Sequence, residues 1–567
     1  MTSIPRLLRW AAVPTIVLLA GCGGGGPGPQ PPPPPPVGCA APTSISLSVG
    51  GHTVVDPGAS NGCIRFPSVA SGGADQEYLV AMVSGSGLVT STGVSSGYTL
   101  KASSGASAAP PPAVGPLPVG QAVRPVDDAV RFHQNLRRRE AELAADPSLR
   151  VPLAVAPIAA VPPVLGSQRT FSVCSNLQCT AFTQVAAEAR YVGTKAAVYL
   201  DLTVPGGDNL TQGDLNELGQ TFDQWLYPID QTAFGSESDI DGNNVIVILL
   251  TDAVNALTPD CSNGRILGFF WGGDLLTSTG SNRGEVFYGM VPSPATAGCT
   301  IATRRNTMDR LKPTMIHELQ HMISFNQHVL VSGGTTGEVA WLNEGLSHFA
   351  EELGGRLIPA SECQGFVSCR SQYSSANLFD AYEYLEDSEA HFLVFPSASV
   401  GTLPERGAAW LFVRWLADHW GTDSLGTNVT RSLVQTSLTG ATNVQLVTGA
   451  PFATLVAEWL LAVWTDDLPG FTPLNVRISY KSWGFRAVFL ANCCTQNAAF
   501  PRAWPADAAL IVGPFTRSGT LRGGSGKHYQ VIQPGGAQVL DLTLARDAAG
   551  NPLDPSVAAR VSVIRIR

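Results

Sequence analysis

Apolar and polar residues alternate in short runs near the amino terminus, at 44–49 and again at 77–83, with Gly, Ser and Asn between them. Alternation of this kind predicts strands joined by turns, and these runs define a small β-domain over 39–103. Residues 104–166 open with a stretch, to about 118, that is mostly Ala, Ser, Gly and Pro. Within them only 126–146 has helical propensity, and it shows charge without a wide apolar face, so the segment reads as a linker bearing one exposed helix. Its Arg137-Arg138-Arg139 cluster is followed at once by Glu140 and Glu142, as expected of a solvated helix face. From 167 onward the pattern thickens. Leu215, Leu218, Phe222, Trp225 and Leu226 recur mostly at threes and fours and predict a helix burying one stripe, while 244–250 and 284–290 are nearly continuous apolar runs that predict core strands. Residues 408–419 and 452–465, rich in Trp, Leu and Phe, predict a helical lobe that closes a central domain at 167–468. Strands return over 469–567 as a carboxy-terminal β-domain. The pattern as a whole predicts a multidomain α+β chain, with a core of mixed sheet, helix and helical lobe between amino- and carboxy-terminal β-sandwich-like domains.

The first 22 residues change this picture. Arg6 and Arg9 precede an apolar run that is short for a bilayer span, and the run ends in Leu19-Ala20-Gly21-Cys22. This resembles a bacterial lipoprotein signal in which Cys22 becomes the lipidated first residue. The Gly- and Pro-rich segment 23–38 cannot pack a core and reads as a tether, which places the rest of the chain at the cell envelope or outside the cell. Setting Cys22 aside leaves ten of eleven cysteines, an even number that suits disulfides in an oxidising compartment. Cys39 with Cys63, Cys174 with Cys179, and Cys363 with Cys369 are expected pairs, whereas the vicinal Cys493 and Cys494 are expected to find other partners. A formal charge of −9 over 567 residues gives no electrostatic basis for binding nucleic acid. Oligomeric state is not legible.

Chemistry concentrates at residues 315–323. His317-Glu318-Leu319-Gln320-His321 is an HExxH pattern, which on a helix puts both imidazoles on one face and Glu318 beside them. Such a pair can grip Zn(2+), with Glu318 positioned to activate water. Zinc needs a third protein ligand. A third histidine six residues beyond the second fails here, because Ser324 and Gln327 stand where that pattern has glycine and histidine. A glutamate from a second helix is available in Trp341-Leu342-Asn343-Glu344-Gly345, 23 residues after His321 and beyond the helix breakers at 332–337. Apolar Trp341, Leu342, Leu346 and Phe349 predict that this helix is buried, where an unpaired Glu344 carboxylate would be costly. Asp239, Asp241, Asn243 and Asn244 lack the twelfth-position glutamate of an EF-hand and read as a turn.

The two motifs together resemble the hyicolysin family of secreted zinc metallopeptidases, and the second is also similar to the aminopeptidase N pattern. The resemblance spans roughly 167–468. It implies a thermolysin-like gluzincin fold and hydrolysis of protein or peptide substrates, with His317, His321 and Glu344 as zinc ligands and Glu318 as general base. Glu351 matches a glutamate seven residues beyond the third ligand in the aminopeptidase pattern, whereas His348 departs from the aspartate of thermolysin and is expected to be a core histidine. Tyr382, Tyr384, His391 and His419 are candidates for stabilising charge on a substrate oxygen, and 284–290 for the sheet edge that takes substrate as an added strand. Two alternatives carry different expectations. A surface-tethered, non-catalytic binding module would bind metal and cleave nothing, and an aminopeptidase would need an acidic amine-binding element, of which Gly284-Glu285 is only a faint echo.

Overall fold

Strand-forming runs at the two ends of the chain pair with each other in the computed structural model, which describes residues 39, 41–60, 62–104, 128–150, 162–204, 209–296, 298–300, 302–494 and 497–567. The proposed signal, Cys22 and the tether lie outside the described residues. One five-stranded sheet runs Thr43–Ser44, Cys63–Phe66, Leu540–Ala545, Ser95–Ser104, Phe515–Arg522. The second runs Ala509–Ile511, Gly526–Gln533, Gln76–Val83, Arg560–Arg565, His52–Val55. The two expected β-sandwich-like domains are therefore one sandwich. The physical reason is edge pairing: each end alone supplies strands with open edges, and Leu540–Ala545 and Arg560–Arg565 fill the gaps between amino-terminal strands.

Alternation along Gln76–Val83 decides how the sandwich meets the rest. Tyr78, Val80 and Met82 face the sandwich core with Leu100, Tyr529, Val531 and Val561. Leu79, Ala81 and Val83 face the other way and join the large core that contains the helix Phe452–Thr465. That strand is apolar on both faces because it is buried on both.

The central sheet has six strands in the order Gly268–Phe270, Val286–Gly289, Ile246–Leu250, Ala196–Asp201, Phe182–Val192, Gln168–Cys174. Ile246–Leu250 is parallel to both its neighbours and fully buried, consistent with its unbroken apolar sequence. Val286–Gly289 is interior rather than the edge expected from 284–290. The short run Gly268–Phe270 pairs antiparallel with it and forms the edge instead.

The helical lobe contains Leu403–Trp420 and Phe452–Thr465 as expected. It extends past its expected end at 468, because Trp483 and Phe485 are buried against Trp410, and strands resume only at Ala509. No single described helix is long and apolar enough to cross a membrane. The three expected disulfides form, with Cys261–Cys299 as a fourth. Cys493 and Cys494 bond to each other, contrary to expectation, since the other eight described cysteines are already paired. The linker expectation at 104–166 also needs correction. The helix Asp128–Ala144 is not a solvated rod, because Phe132, Leu136, Glu140, Leu143 and Ala144 are buried.

Candidate metal centre

The helix Arg304–Phe325 starts where the Thr303 hydroxyl accepts the Asn306 N–H. Met315, Ile316, Leu319, Met322 and Ile323 are all at most 2% exposed, which fixes the helix against the sheet and aims His317 and His321 toward the second motif. Their ring centroids are 4.9 Å apart. Ala340–Leu357 packs alongside, anchored by buried Trp341, Leu342, Leu346 and Phe349. Gly345 permits this packing on the lobe side, because a Cβ there would lie 2.8 Å from the Ala409 carbonyl oxygen.

Glu344 enters between the imidazoles. One carboxylate oxygen lies 3.7 Å from His317 Nε2 and the other 3.7 Å from His321 Nε2. Ligand atoms sharing a zinc ion at about 2.0–2.1 Å each stand somewhat more than 3 Å apart, and each of the two Glu344 oxygens stands close to that spacing from one imidazole. Glu344 is 3% exposed, and its Oε2 makes no hydrogen bond, with Arg406 Nη1 3.5 Å away as an ion pair. A buried carboxylate that faces two imidazoles and makes only this longer ion pair has room for a further cation.

The residues behind these ligands orient them. Glu351 Oε1 is 2.6 Å from His317 Nδ1, which directs Nε2 toward Glu344. His348 is less detached than expected of a core histidine: its Nδ1 lies 3.0 Å from Asn377 Oδ1 and 3.3 Å from Glu351. Burial works against the Glu351 charge, but His348 and His317 outweigh it and bring its pKa to about 2. Glu344 is likewise held below the usual carboxylate range, because Arg406, His317 and His348 overcome its burial. Burial together with the charges of Arg137 and His317 pushes His321 well down, which leaves a neutral imidazole, the form able to accept a metal.

Glu318 is also buried. Its Oε2 accepts the Phe270 N–H at 3.0 Å and a guanidinium N–H of Arg137 at 3.1 Å. Burial raises its pKa, and Arg137 and His317 only partly offset that. Arg137 and Arg406 were not singled out as site residues, since nothing in local spacing marks a partner 181 residues away. The expected oxygen-stabilising candidates are held elsewhere. Tyr382 bonds to the Arg502 backbone, Tyr384 to Ser525, and His419 to the Ser479 carbonyl, while His391 sits beside Tyr384.

No family model matches the chain. The neutral metalloprotease ShpI of Staphylococcus hyicus is 28% identical over 192 residues, which covers 33% of this chain and 40% of that protein. An M1 zinc metallopeptidase of Deinococcus radiodurans, crystallised with a Tyr-Ser-Ala substrate, is 17% identical over 52% of this chain and 51% of its own, with a TM-score of 0.27, too low to establish a shared fold. The chain is thus similar, across a third of its length and two fifths of the relative's, to a neutral metalloprotease, and its buried Glu344 carboxylate faces both His317 and His321.

Proposed function

We propose that this chain is a zinc-dependent metalloendopeptidase of the gluzincin type, acting on protein or peptide substrates. The observation that carries the proposal is that the buried Glu344 carboxylate faces both His317 and His321, with Glu318 close to the same two histidines. His317, His321 and Glu344 would hold the ion, leaving its remaining position to water and substrate. When bound, zinc supplies a Lewis acid that polarises water and the scissile carbonyl. Glu318 takes a proton from the attacking water and delivers it to the leaving amine. The raised pKa of Glu318 suits both halves of that transfer. Glu351 and His348 keep His317 in the metal-binding tautomer. The outer edge of Gly268–Phe270 offers backbone groups to an extended substrate. The disulfides suit an oxidising compartment, in keeping with export and with anchoring through Cys22 in the bacterial envelope.

Two variants test the roles. Glu318→Gln should keep zinc yet lower kcat on casein-derived peptides by about 10²–10⁴-fold. Glu344→Ala should lose zinc as well as activity. If the intact chain held zinc and cleaved no peptide, the non-catalytic binding module would replace this reading.

A further inference from the structure

The helix Asp128–Ala144 lies across the residues that the proposed reaction needs. Phe132 packs edge-on against Phe269 of the edge strand, with ring centroids 4.9 Å apart. Glu140 Oε1 accepts the Gly272 N–H at 2.7 Å, and its Oε2 pairs with Arg137 Nη1 at 2.7 Å. Arg137 Nη2 reaches Glu318. Farther along the chain, Arg150 donates to the Gly334 carbonyl beyond the histidine helix, and the Leu149 carbonyl accepts the Thr277 N–H. The segment therefore bridges the edge-strand side of the site and the histidine-helix side.

Two of these contacts occupy functions rather than empty space. Phe270 ends the edge strand and Gly272 opens the short turn after it, with extended Trp271 between them, so both N–H groups point off the free edge. A peptide adding to that edge would offer carbonyl oxygens to such groups. Here the Gly272 N–H is taken by Glu140, and the Phe270 N–H and Arg137 both engage Glu318. Arg137 and Glu140 are nearly buried, with side chains 12% and 6% exposed, so their pairing is not a surface accident of two flexible side chains.

We propose that the helix Asp128–Ala144 is an autoinhibitory cover: Arg137 ties up the Glu318 carboxylate, Glu140 takes the edge N–H of Gly272, and peptide enters only when the helix leaves. This inference rests on the peptidase reading of the site. A helix that must leave lowers apparent substrate affinity by the fraction of time it is away.

The test uses the full chain, the double variant Arg137→Ala/Glu140→Ala, and Phe132→Ala, which loosens the helix without touching Glu318. Two readouts are taken on each: amide hydrogen exchange over residues 268–276, and kcat/KM on a quenched fluorescent peptide. Both variants should exchange faster at Phe270 and Gly272 and cleave about tenfold faster or more. A synthetic peptide of residues 128–144 should inhibit the double variant when added in trans. Faster exchange with no cleavage by any form would leave the cover standing and overturn the peptidase reading. Unchanged exchange in both variants would overturn the cover. So would a fall in kcat/KM in Phe132→Ala and the double variant alike, which would make the helix part of the working site, with Arg137 stabilising substrate charge.

Discussion

Glu344 and its neighbours show what a single residue's sequence context can and cannot disclose. His317 and His321 were legible because four residues is one helical turn, and Glu344 because an isolated carboxylate within an apolar helix has no stable place unless it is paired. Glu351 was reached through the resemblance to the aminopeptidase pattern, and its bond to His317 Nδ1 gives that match a physical role. Glu351→Gln should therefore weaken zinc binding by about 10–100-fold with little change in folding, measured by competition with a chelating dye. Arg137 and Arg406 were not legible as site residues. Their charges reach Glu318 and Glu344 only through tertiary folding, and an arginine beside glutamates on its own helix looks like any solvated pair.

At the scale of elements, the histidine helix follows from the HExxH spacing, the glutamate helix from its apolar residues beyond the breakers at 332–337, and the buried strand Ile246–Leu250 from its unbroken apolar run. The sheet edge did not. Gly268–Phe270 has three residues, too few to show alternation, so the longer run at 284–290 looked like the better edge. The turn after that short strand carries Asp274, which is fully buried and bonded by the Asn282 N–H and by Tyr288. Burial pushes Asp274 up to about 7 in spite of those bonds. Unfolded, an aspartate titrates near about 3.9, so the folded chain keeps this proton to higher pH than the unfolded chain does. Folding stability contributed here is present at low pH and is lost as pH rises from about 4 through about 7. Asp274→Asn should remove that share of the loss, seen as a smaller difference in urea midpoint between pH 5 and pH 8 than the parent chain shows.

Over the whole molecule, alternating patterns at both ends were read as strands, and most of them are. What no local pattern could disclose was that strands more than 400 residues apart belong to the same sheets, since pairing partners leave no mark on each other's periodicity. The consequence is mutual dependence. Arg560–Arg565 lies between Gln76–Val83 and His52–Val55, so a chain ending at residue 558 should lose the amino-terminal strands as well, with limited proteolysis cutting within 52–83 that the full chain resists. Because Leu79, Ala81 and Val83 also join the large core, that truncation should lower the stability of the helical lobe too. The claim on which the functional reading depends is that His317, His321 and Glu344 share one zinc ion. Crystals of the zinc-loaded chain, measured on both sides of the zinc absorption edge, test it directly. The expected result is one strong anomalous peak within bonding distance of both histidine Nε2 atoms and a Glu344 oxygen. A zinc peak bound elsewhere, or none at this site in zinc-saturated crystals, would contradict it.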